Sequence, residues 1–349
     1  MRGYSQTSVT MGVGTGPIAI AVNPATNKIY VANNGSDNVT VIDGATNRTV
    51  TLAAGSAPNA IAANPVTNKI YVANLDSSNV TVIDGATNST VNVPAGTRPY
   101  AVAVNSVTNK IYVANIGSAD VTIIDGATND TTTVAAGSEP GAVAVNSVTN
   151  KIYVVNFSSN DVTVIDGATN NTTTIAAGKY PVSAAVNSVA NTIYVVNMTS
   201  DNVTVIDGAT NNTITLPAGR APDSAAVNPA TNKVLVVNTC GNDPTCGDAA
   251  GTFGTITVID GAKSAAGAPV AATMLVARRP EAVAVNPTTN QFFVPHDVGK
   301  ILTVINGANG QTSTWPIAVG PHAVAVNLVT NKIYVANGGS ASVTVISTR

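Results

Sequence analysis

The chain has 349 residues and a formal net charge of −2, with only 10% charged residues against 44% apolar ones. That is too apolar for intrinsic disorder, and it offers no basic patch or stripe for nucleic acid. Asn, Thr, Ser and Gly supply the polarity, and no apolar run reaches the roughly 18 residues of a membrane-spanning helix.

Met1-Arg2-Gly3-Tyr4-Ser5 lacks the apolar core of a signal peptide. This leaves a cytosolic protein or a mature one whose leader lies outside the sequence. The composition favours the second, which is a secreted, periplasmic or cell-surface location. Thr7–Met11 then reads as a lone strand. After it come four short strands, near Ile18–Val22, Lys28–Asn33, Asn38–Asp43 and Arg48–Ala53. Val, Ile, Thr and Tyr dominate them, and they are apolar on both faces, as strands sandwiched between neighbouring sheets must be. Asn23-Pro24-Ala25-Thr26-Asn27-Lys28 and Asp43-Gly44-Ala45-Thr46-Asn47 carry the residues of tight turns.

This unit repeats. The Asn ending its first strand recurs as Asn23, Asn64, Asn105, Asn146, Asn187, Asn228, Asn286 and Asn327. The spacing is 41 residues throughout, except for 58 between Asn228 and Asn286. The sixth copy therefore carries an insertion, placed near 239–254 and 261–277. Four strands in a period of about 40 residues make a β-propeller blade. One blade cannot bury both faces alone, so the blades pack into a ring. The last copy stops after Ser342–Ile346, a third strand with no fourth, so Thr7–Met11 is expected to complete it and remove two unpaired edges. The expected fold is all-β: one eight-bladed propeller of four-stranded antiparallel blades over residues 1–349, closed by the N-terminal strand in the C-terminal blade.

The recurring core Ile-Tyr-Val-Ala-Asn, first at Ile29–Asn33, resembles the YVTN family of propellers, known from microbial surface-layer and secreted proteins. The resemblance spans residues 5–349 and implies the propeller fold and a place outside the cell. YVTN-type propellers are commonly seven-bladed, whereas eight copies occur here.

Where one copy departs from the others, the scaffold did not require it. The departures gather around the proline that precedes each first strand, from Gly16-Pro17-Ile18 to Gly320-Pro321-His322. These segments are expected to ring one mouth of the central channel. Both glutamates, Glu139 and Glu281, fall there, as does His322; His296 ends a second strand on the same face. Arg98, Tyr100, Lys179, Tyr180, Arg220, Asp223, Arg278 and Arg279 join them as candidate ligand-binding residues. Six further lysines occupy Asn-Lys turns and read as turn residues only. The only cysteines, Cys240 and Cys246, share the long loop of the sixth copy and are expected to form a disulfide in an oxidising compartment.

No nucleophile elbow, phosphate loop or dinucleotide fingerprint occurs. The first expectation is a monomeric binding scaffold with no cofactor. It recognises a polar or anionic ligand, a glycan or a protein loop at the charged mouth, with no nucleic acid and no membrane span. The alternative is a lyase or lactone hydrolase using Glu281, His322 and His296, with or without a divalent metal; that analogy with other propeller enzymes is architectural only.

Overall fold

The computed structural model describes residues 6–243, 245–246, 252–261 and 271–348. Much of the expected insertion at 239–254 and 261–277 lies outside the described residues. The rest forms eight four-stranded antiparallel sheets. In blade one the strands are Pro17–Asn23, Lys28–Asn33, Asn38–Asp43 and Thr49–Ala53, running from the axis outward. Neighbouring first strands touch all the way round, the eighth against the first.

The terminal strand closes the ring as expected. Gln6–Gly12 pairs antiparallel with Ser342–Thr348, with Met11 opposite Val343. Met11 and Val13 also pack against Tyr334 and Val343 of blade eight and Ile29 and Val31 of blade one.

The doubly apolar strands have a direct packing cause. Successive strand side chains point to opposite faces. Ile29 and Val31 face back onto blade eight, while Tyr30 and Ala32 face forward onto Ile70 and Val72 of blade two. All four central residues are fully buried. The fourth strands carry mostly exposed Thr and Val.

Polar links tie each blade to the next. Asn23 Nδ2 donates to Asn68 Oδ1 of the following blade, and the same bond recurs at every junction over 2.7 to 3.0 Å. Its last member, Asn327 to Asn27, crosses the closure at 2.8 Å. The accepting asparagines all sit in left-handed backbone, with φ of 50 to 55°, a conformation Asn tolerates better than most residues. The turn lysines are more than turn residues. Six of them donate Nζ to a glycine carbonyl of the next blade, as Lys110 does to Gly167 at 3.0 Å. Thr192 and Gln291 occupy the other two positions. The Asp-Gly-Ala-Thr-Asn turns stay uniform because each Asp, such as Asp43, accepts from the two backbone N–H groups of Ala45 and Thr46.

Candidate functional site at the channel mouth

Each first strand is reached through an X-Pro step whose leading residue has left-handed φ, including the non-glycine residues Arg98 (55°), Glu139 (56°), Tyr180 (51°) and Arg279 (47°). Beyond the proline the pairing slips. Pro17 pairs with Asn33 but Ala19 with Ala32, which leaves Ile18 as a β-bulge. The same shift occurs in blades two to six and eight. In blade seven Pro280 bridges His296 and the ladder resumes at Ala284. Bulges re-aim a side chain.

The residues so placed are, in ring order, Ile18, Asn59, Tyr100, Gly141, Val182, Asp223, Glu281 and His322, eight types with no repetition. A second ring lies beside them, one residue past the end of each second-strand core: Asn34, Leu75, Ile116, Phe157, Met198, Thr239, Asp297 and Gly338. Again no type recurs. The backbone ties the second ring to the residues that precede the prolines, since Phe157 N–H donates to Glu139 O and Asp297 N–H to Arg279 O.

In blades four and eight the two positions compensate in volume. A Cβ at Gly141 would collide with the Phe157 ring, and one at Gly338 with the His322 ring. Gly141→Ala should therefore displace Phe157 and cost about 1–3 kcal/mol from overpacking, read from the denaturant midpoint. An unchanged midpoint would show that the ring has room to move.

The mouth divides into two sectors. Blades three to five are aromatic. The Phe157 ring meets Tyr100 edge-on, with centroids 5.9 Å apart at 86°, and Tyr180 at 5.6 Å and 39°. Ile116 and Val182 pack on the same cluster. Blades six and seven are acidic, with Asp223, Glu281 and Asp297. Burial raises the Asp223 carboxyl above its ordinary range. Glu281 is pushed up to about 7, first by burial and then by the charges of Asp297 and Asp223, with Arg279 opposing. Arg279 also stands 4.0 Å from Asp297. Tyr100 is raised by burial first and then by Tyr180 and Asp223, so blade six acts on blade three across the opening.

The Glu281 shift sets a pH dependence. The folded protein holds this proton more tightly than the unfolded chain, whose value is near 4.5. The stability it contributes is complete below that value and is lost as pH rises through about 7. Glu281→Gln, which keeps the neutral form, should raise the melting temperature at pH 8 and leave it nearly unchanged at pH 4. Equal effects at both pH values would contradict this.

The other expected residues fall into three groups. Arg98, Glu139, Lys179, Arg220 and His322 are exposed, with Glu139 accepting from the Ser158 hydroxyl. Arg278 and Arg279 line a cavity of about 90 Å³ with Cys240, Cys246 and Phe253. The cysteines form the expected disulfide, with Cα atoms 4.9 Å apart. His296 is fully buried. Its Nδ1 lies 3.3 Å from the Arg278 carbonyl and its Nε2 2.7 Å from Thr303 Oγ1. Burial lowers its pKa to about 4, so the neutral ring donates from Nδ1 and accepts at Nε2. It fills the place of Asn33, which bonds Thr40 Oγ1 in blade one. His296 therefore faces into its blade, and the trio considered for a metal is not gathered. Among the described residues no three His, Cys, Asp or Glu side chains are placed to hold an ion.

Phe157 was not among the residues singled out from the sequence. Its signal is the column it stands in, where all eight copies differ.

No family model and no curated protein matches the chain. Among solved structures it is similar to hydrazine synthase from Kuenenia stuttgartiensis, with a TM-score of 0.68 and 17% identity over 96% of both chains. At that identity the likeness is one of fold.

Proposed function

We propose that the protein is a ligand-binding module acting outside the reducing cytosol, and that its ligand enters the channel mouth. One observation carries this reading: the two rings of non-repeating residues at one mouth, on a scaffold whose second and third strands repeat closely. Loops on a rigid framework are where recognition is built. A small polar molecule, a glycan or a protein loop would each reach these rings. An anionic group would meet the exposed Arg98, Lys179 and Arg220 just before the prolines. The Cys240–Cys246 disulfide and the resemblance to surface and secreted YVTN propellers support the location. Among the described residues no helix is long and apolar enough to cross a membrane. With His296 committed inside blade seven, Glu281 and His322 lack the third member of the lyase or lactone-hydrolase site, and the binding reading is preferred.

The test is a thermal-shift screen of glycans and small polar compounds against the parent and a Tyr100→Ala, Glu281→Gln variant. The reading expects compounds that stabilise the parent and not the variant. Compounds that stabilise both equally would overturn it.

A further inference from the structure

We infer that the mouth selects a ligand joining a positively charged nitrogen to an aromatic or branched apolar body, the body against Tyr100, Phe157 and Tyr180 and the cation against Asp223 and Glu281. The inference rests on the mouth being a binding site and names the ligand class. Charge placement is its first support. None of the sixteen positions in the two rings is Lys or Arg, while Asp223, Glu281 and Asp297 are acids. The basic residues Arg98, Lys179, Arg220, Arg278 and Arg279 all stand one or two places before a proline.

Adjacency is the second support. Tyr180 leads into the first strand of blade five and Asp223 lies in the first strand of blade six, and these strands are neighbours, so the aromatic and acidic sectors adjoin. Aromatic faces attract cations, more strongly where water is excluded. Half-buried carboxylates gain from a nearby cation more than carboxylates in water do. The raised Asp223 and Glu281 carboxyls show that each ionises against a penalty that a bound ammonium would relieve. The absence of a side chain at Gly141 leaves room for the Phe157 ring, since a Cβ there would collide with it.

The experiment is calorimetric titration of the full chain at pH 8 with phenethylammonium, 2-phenylethanol and phenylacetate. The ammonium should bind about ten times more tightly than the alcohol, and phenylacetate least. An Asp223→Asn, Glu281→Gln variant should lose that preference and keep the alcohol affinity. Phe157→Leu should weaken both ligands, with melting curves confirming that each variant is folded. Equal affinity for ammonium and alcohol, or no ammonium binding at millimolar concentration, overturns the inference. Phenylacetate binding most tightly, and lost in Phe157→Leu, overturns the cation preference while leaving the mouth as the binding site. Ammonium binding that survives both variants overturns the two together.

Discussion

Deleting residues 1–12 is expected to remove about 4 kcal/mol or more of stability and leave an aggregation-prone chain. Gln6–Gly12 is the outer strand of blade eight, paired along seven residues with Ser342–Thr348. Without it that edge is unpaired, and exposed edges template association between chains. Ladder hydrogen bonds contribute about 1 kcal/mol each, and the apolar contacts of Met11 are lost with them. A synthetic peptide of residues 1–13 added in trans should restore much of the melting temperature, because it can re-form the strand. A truncated chain that melts like the parent would mean that blade eight needs no closing strand.

The inter-blade asparagine ring gives the second large effect. Asn109 has two jobs: it holds φ of 53° and accepts from Asn64 Nδ2 at 2.9 Å. Asn64 is fully buried, so losing the acceptor strands its amide. Asn109→Gly keeps the backbone and drops the acceptor, and should cost about 1–3 kcal/mol. Asn109→Ala adds the left-handed penalty of about 1 kcal/mol. Asn109→Asp retains an acceptor and should cost least. Denaturant unfolding should rank the losses Asp, then Gly, then Ala. A glycine variant as stable as the parent would show that the amide bond contributes nothing.

Much of this architecture is legible in the repeat. The strands Lys28–Asn33 and Asn38–Asp43 and the closing pair near Thr7–Met11 and Ser342–Ile346 follow from apolar runs and a counting argument. The interaction partners were not legible. Asn23 and Asn68, or Lys110 and Gly167, lie far apart along the chain and become neighbours only when adjacent blades pack. His296 shows why an unusual residue is ambiguous: it departs from the repeat, yet it keeps the repeat's hydrogen bond to the third-strand threonine, here Thr303. Phe157 shows the reverse, since its meaning depends on the side chain that Gly141 lacks.

Uniform blades and a non-uniform mouth are the two halves of the account, and hydrogen–deuterium exchange tests their join most directly. With the compound that gives the largest thermal shift bound, protection should rise at residues 98–100, 139–141, 179–182, 220–224 and 278–281 and at the turns after the second strands. Protection confined to the Asp-Gly-Ala-Thr-Asn turns on the far face would place recognition at the wrong end of the ring and contradict the account.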